Sequence, residues 1–400
     1  MPEIPLGPTP AKQPAKGLVP FALGFRPFFL LAGVSAMTLM TQWLLMWIGY
    51  PGPVDYYGML GWHGHEMLFG YAMAVIAGFL LTAVRNWTGI ATPNGVPLAG
   101  LACLWLAARL LPFAHPTLPA DIIAIVDLAF IPSLILALAG PLWKGANKVN
   151  RVFLPLLAAM TLANVLMHLQ PLGVAQTGLQ GQDLMVSLVL LLIALVAGRV
   201  LPFFTEKAVP GSAPKRDSQL EHWSFTLLIG LALTQLAWPH AGIPLAILSA
   251  GVALTQGLRL WGWHDKGVWR IPILWVLYTG YIWLVLGFTL KALAHLDLFA
   301  PNLALHALTI GGFGILTLGM MSRVALGHTG RLLQSTKATN LAFVLLNLGA
   351  LTRVFGPFLM PDNYIGTMHL AGGFWLLAFG IFTVIYAPIL MKPRADGRPG

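Results

Sequence analysis

Twelve stretches of this 400-residue chain are apolar for long enough to cross the hydrocarbon core of a bilayer as helices, at ~1.5 Å of rise per residue. They run at about 27–50, 59–84, 96–114, 120–142, 151–170, 181–205, 220–239, 241–262, 271–295, 301–323, 336–359 and 364–391. Such a chain has little freedom of fold, because lipid offers no hydrogen-bond partner and each spanning segment must satisfy its own backbone. The expectation is an all-α polytopic membrane helix bundle of about twelve transmembrane helices, forming one transmembrane domain over residues 1–400. Composition agrees: 57% of the residues are hydrophobic and 9% charged, against roughly 25% charged in a soluble domain. The 43 glycines and 30 prolines are tolerated in membrane helices, whose neighbours re-satisfy freed backbone groups.

A net charge of +10 raises the question of a nucleic-acid partner, and the placement of the basic residues answers it. They lie in short connections and not in one patch. Arg85, Lys144, Lys148, Arg151, Lys207, Lys215, Arg216, Arg259, Lys266, Arg270, Arg331 and Lys337 all fall in the even-numbered connections, which must share one side. Lys12, Lys16 and Arg26 before the first span, and Lys392, Arg394 and Arg398 after the last, join them there. The positive-inside rule then makes both termini cytoplasmic, with tails over 1–26 and 392–400. The first twenty residues hold no apolar core and read as a cytosolic tail, not a cleavable signal. Cys103 stands alone and reads as a small core hydrophobe, so no internal disulfide or thiolate cluster can form and any metal must use His, Met or carboxylate. Trp43, Trp47, Trp62, Trp87, Trp143 and Trp261 read as interfacial anchors. An arginine ends the second, sixth and tenth spans, Arg85, Arg199 and Arg323, which hints at three units of four helices as well as at simple charge placement.

Polar groups inside a span are costly and usually functional. The second span opens with GWHGHEMLFGYAMAVIAGF, placing His63, His65 and Glu66 in apolar surroundings, and His168, His306 and His369 lie at a similar depth near the outer ends of the fifth, tenth and twelfth spans. Residues two apart on a helix point in opposite directions and residues four apart share a face. His63 and His65 therefore cannot face one metal, whereas His63 and Met67 can, as a His/Met copper pair. His65 is free to serve a second centre. Glu66 and Asp127 are placed to orient an imidazole or relay protons; a purely structural pairing with a residue such as Asn164 is the equal alternative. Arg109, Lys291 and Arg353 are the outward-side cations, suited to an anionic ligand or to interfacial snorkelling. Gly61 and Gly64, and Gly311, Gly312 and Gly314, suit either a flat macrocycle or a neighbouring helix.

The strings GFRPFFLLAG (Gly24 to Gly33), WHGHEMLFGYAMAVIAGFLLTAVRNWTG (Trp62 to Gly89), AGRVLPFFT (Ala197 to Thr205) and HALTIGGFGILTLGMMSRVALGHTGR (His306 to Arg331), with the terminal DGRPG, resemble the NnrS family over nearly the whole chain. One departure is Arg85, where a proline is expected before Asn86-Trp87-Thr88-Gly89. The resemblance implies a haem- and copper-containing, multi-pass protein of the bacterial inner membrane, linked to nitric oxide metabolism and to protection from nitrosative stress. On that reading His65 and His306 are axial haem ligands, His63, Met67, His168 or His369 bind copper, and Arg109 and Arg353 meet the haem propionates. The competing expectation is a secondary transporter or small-solute channel without redox cofactor, suggested by the span count and by glycine breaks at Gly311-Gly312 and Gly372-Gly373.

Overall fold

The computed structural model describes residues 17–398, so Lys12, Lys16 and the last two residues of the DGRPG string lie outside the described residues. Eleven helices are long and apolar enough to cross a membrane: α1 Phe25–Trp47, α2 Met59–Thr88, α3 Val96–Ala114, α4 Ala120–Lys144, α5 Lys148–Leu169, α6 Gly178–Ala208, α8 Gly242–Trp263, α9 Pro272–Ala294, α10 Pro301–His328, α11 Lys337–Leu359 and α12 Pro361–Met391. One further long helix, α7, spans Ser218–Ala237 and is of similar length but less apolar, because it carries Gln219, Glu221, His222 and Gln235. Its neighbours place it. Lys215 N donates to Gly262 O at 2.8 Å, so α7 starts where α8 ends, and the two run antiparallel through the turn at 238–241. The chain is an all-α, multi-pass membrane bundle with no strand among the described residues.

The most enclosed spans are α2 and α10, with 83% and 78% of their most apolar stretch buried, so the histidine-bearing helices form the centre of the bundle. Both contain a run of wide, π-helical turns directly after the histidines, at Glu66–Ala72 and Ala307–Gly314. Such turns are rare and concentrate at functional sites. At the ends that lie beside the chain termini α2, α6 and α10 interlock: Arg199 of α6 lies 5.9 Å from the Trp87 ring of α2, and Arg323 of α10 lies 3.8 Å from the Phe204 ring of α6. Two of the recurring arginines of the sequence thus make the same kind of contact, each with an aromatic ring of a neighbouring helix. With arginine in place of proline at 85, α2 continues to Thr88, four residues beyond the expected end, and stops at Gly89, whose φ of 70° suits a glycine cap.

The glycines of α10 are packing surfaces. A Cβ on Gly311 would sit 2.6 Å from the Trp283 ring, one on Gly312 2.9 Å from Leu284 Cγ, and one on Gly314 2.9 Å from the Trp375 ring. Gly280 and Gly287 of α9 receive Leu316 and Leu308 in return. Small residues on both faces let the two backbones close up, which is the main attraction between helices in lipid. Gly312→Leu is therefore expected to lower stability by about 1–3 kcal/mol, the usual range for overpacking; thermal melting in detergent indistinguishable from the parent protein would contradict this. Neither glycine pair breaks its helix, since α10 and α12 run continuously through Gly311-Gly312 and Gly372-Gly373.

Both ends of the described chain meet at one end of the bundle: Val19 N donates to Met391 O at 2.7 Å, and Ala395 N to Thr329 O at 2.8 Å. The end of the His306-to-Arg331 string thereby lies beside the residues that lead into the terminal DGRPG string, Arg394 Nη1 also donating to His328 O at 2.9 Å. Several expectations are corrected here. Arg26 belongs to the first turn of α1 and not to a tail; it is buried and donates to Leu390 O and Lys392 O, carbonyls that the end of α12 leaves without helical donors. Arg259 lies inside α8 and not in a connection, because Glu221 receives it bidentately at 2.8 Å and Tyr281 and Ala194 O complete its shell. Trp43 and Trp62 are core residues, 7% and 1% exposed, while Trp143 and Trp261 stay on the outside at 67% and 83%. Cys103 faces outward from α3 instead of packing in the core.

Candidate metal and cofactor site

Two polar groups occupy the end of the bundle opposite the chain termini, back to back across α2. The first is fully buried. Asp127 of α4 receives His65 Nε2 at 3.1 Å, His168 Nε2 at 2.9 Å and Asn164 Nδ2 at 2.7 Å on one oxygen, and pairs with the Arg109 guanidinium through the other. Arg109 also donates to Glu66 Oε1 at 2.8 Å, and the same Glu66 oxygen lies 3.1 Å from His65 Nδ1. The short helix Val54–Tyr57 folds over this group: Tyr56 OH is 2.9 Å from His168 Nδ1, and Tyr57 OH is 3.0 Å from His65 Nε2. The His65 ring is held between those of Tyr57 and Phe69, at 4.3 and 4.9 Å between centroids.

Charge balance gives this arrangement its chemistry. Two carboxylates face one arginine, and a buried excess charge must be compensated. His65 presents both ring nitrogens to carboxylate oxygens, so a neutral imidazole donates to one and opposes the other lone pair to lone pair. A proton on His65, or a metal cation among His65, Asp127 and His168, resolves the conflict. The last option is sterically available, since one ligand atom from each of these three residues lies within 4.8 Å of the others. Glu66 Oε2 is buried without a partner, so the acidic side of the cluster retains acceptor capacity.

The second group lines a cavity of about 760 Å³ between α1, α2, α6, α10, α11 and α12, within the range of cofactor sites. His63 and Met67 of α2 reach it together, as their four-residue spacing requires, and His306 reaches it from α10. His63 stacks on Trp43 at 4.0 Å with an 18° interplanar angle, and its Nδ1 is buried without a hydrogen-bond partner. His306 Nδ1 is tied to Asn302 O at 2.5 Å, which fixes the tautomer and leaves Nε2 as a lone-pair donor, the usual preparation of a metal-binding histidine. Arg353 donates to Tyr364 OH at 3.1 Å, while its Nη1 and the Trp47 Nε1 on the same wall are buried and unpartnered. The walls are otherwise mostly apolar. Two available imidazoles, orphaned cationic and indole donors and an apolar volume fit an anionic porphyrin bound through its iron.

The expected residues are thus sorted into two places. His65, His168, Glu66, Asp127 and Arg109 come together in the buried cluster, and His63, Met67, His306 and Arg353 around the cavity. His65 and His306 are not brought to a shared space, because the His65 ring is enclosed by Tyr57, Phe69 and the cluster. Arg109 is turned inward by its two carboxylates and does not line the cavity. His369 lies apart from both, with Nδ1 2.9 Å from Ile365 O and Nε2 3.3 Å from Leu44 O. Sequence reasoning missed Tyr56 and Tyr57, which sit in a connection. A weak signal was present: two adjacent tyrosines just before an intramembrane histidine. Trp43 was read as an anchor and is a stacking partner of His63.

Fold and site together define a polytopic membrane protein built to enclose a histidine-lined cavity beside a buried carboxylate–imidazole cluster. The chain matches the family described as NnrS protein over residues 19–394, and it belongs to that family. No curated protein matches it.

Proposed function

We propose that this protein binds haem and copper in the bacterial inner membrane, with both termini cytoplasmic, and acts in nitric oxide metabolism and protection from nitrosative stress. Haem occupies the cavity with His63 and His306 as its candidate ligands and Arg353 and Trp47 as partners of its carboxylates. Copper occupies the cluster of His65, His168 and Asp127. The observation that carries the reading is the pair of imidazoles, one from each central helix, that line one large, mostly apolar cavity, His306 with its Nδ1 tied to Asn302 O. Bound haem supplies an iron able to take a small diatomic ligand and to exchange single electrons.

The chain's own residues do the rest. Asn302 O holds the His306 tautomer, Trp43 fixes the plane of His63, and the apolar walls exclude water. Tyr57 lines the cavity and touches His65 and His168, at 3.0 and 3.5 Å, so it joins the two centres physically. Protein purified from haem-replete, copper-replete cells is expected to show a Soret band that shifts on adding nitric oxide, and copper by metal analysis. A colourless, metal-free preparation would overturn the proposal. The unbroken α10 and α12 do not favour a transporter built on discontinuous helices.

A further inference from the structure

A second, smaller chamber of about 70 Å³ lies between α1, α2, α6 and α10, beneath the large cavity. Its walls are aliphatic and aromatic, with Ile76, Ile193, Ala197 and Leu316 among them, and Thr317 brings the sole hydroxyl. That hydroxyl is committed: it donates within α10 to Phe313 O and Gly314 O, at 2.8 and 2.9 Å, and accepts from Tyr71 OH at 2.6 Å. The space exceeds the ~30 Å³ share of a water molecule, yet an ordered water needs two or more polar partners and finds none. Apolar cavities of this kind stay dry and take up xenon or small apolar molecules.

The chamber is joined to the cavity above it through one side chain. Phe313 lines both spaces, and Tyr71, whose ring meets it edge-on at 5.5 Å, lines the upper one. On the opposite side Phe79, Val196, Val200 and Met320 are half-buried, so the chamber's outer wall reaches the surface that the span presents to lipid. Apolar solutes favour such surroundings over water. We infer that this chamber is a docking site for apolar gas molecules of diatomic size, which pass from lipid through it and past Phe313 into the large cavity. The delivery step rests on the haem reading; occupancy of the chamber does not.

Crystals equilibrated under xenon pressure are expected to show one xenon peak in contact with Ile193, Ala197 and Leu316. Ordered water there, or no peak in the parent protein, overturns the inference. In haem-loaded protein, Ala197→Phe is expected to abolish the peak and to slow carbon monoxide rebinding after flash photolysis several-fold, with the equilibrium Soret position unchanged. Should that variant not fold, Val189→Phe fills the same chamber from about two turns away on α6. A xenon peak in protein that never binds haem retains the site and removes the delivery role. Parent-like rebinding in a filled chamber removes the delivery role while leaving the haem assignment intact.

Discussion

In His306→Ala protein the Soret band is expected to fall to a small fraction of the parent's, while bound copper remains. In His168→Ala protein the result is reversed: copper is lost and the Soret band stays. The opposite outcomes follow from the separation of the two centres. His306 opens on the cavity from α10 and shares no hydrogen bond with the cluster, whereas His168 is locked between Asp127 and Tyr56 and does not line the cavity. His63→Ala should follow His306→Ala, and His65→Ala should follow His168→Ala, although these residues are only two apart in sequence. Parallel loss of both cofactors in either variant would mean a single shared centre and defeat the assignment.

Removing the Arg109 guanidinium is expected to have the largest effect on stability. Arg109→Leu leaves Glu66 and Asp127, both buried, facing each other's charge without their cation. Breaking a buried ion pair on one side typically costs about 3–5 kcal/mol. The variant should therefore melt far below the parent in detergent, or fail to accumulate in the membrane. Combining it with Glu66→Gln should recover a substantial part of the loss, because the residual carboxylate can still be matched by a proton or cation at His65. Arg109→Leu that melts with the parent, or a double variant no more stable than the single, would refute the charge-balance argument.

How much of this was legible in the sequence depends on the length scale of the cause. The spans follow from local hydropathy, and their ends were found to within a few residues because apolar run length is a one-dimensional property. The exceptions are instructive. Arg259 and Arg26 were placed outside the bundle because charge was read as exposure, and each is drawn in by a partner distant in sequence: Glu221 for the first, the end of α12 for the second. The separation of His63 from His65 was legible from helical periodicity alone. Which neighbours each would find was not, since Asp127, His168 and Asn164 reach His65 from other helices, and Tyr56 and Tyr57 from a connection with no periodic signal. The apolar expectation for Cys103 failed for a reason particular to lipid: an apolar side chain in a span is equally at home on the outside of the bundle.

The wide turns after the histidines of α2 and α10 carry a consequence for how such a protein can change over time. Each π-helical turn absorbs one surplus residue without ending its helix, and one residue amounts to about 100° of rotation. The stretch carrying the imidazoles is thereby indexed independently of the helical stretch that follows the wide turns. Gain or loss of a single residue at these two joints would re-aim the ligands while leaving the packing beyond them in register, so the chemistry at one end of the scaffold can be retuned without redesigning the other.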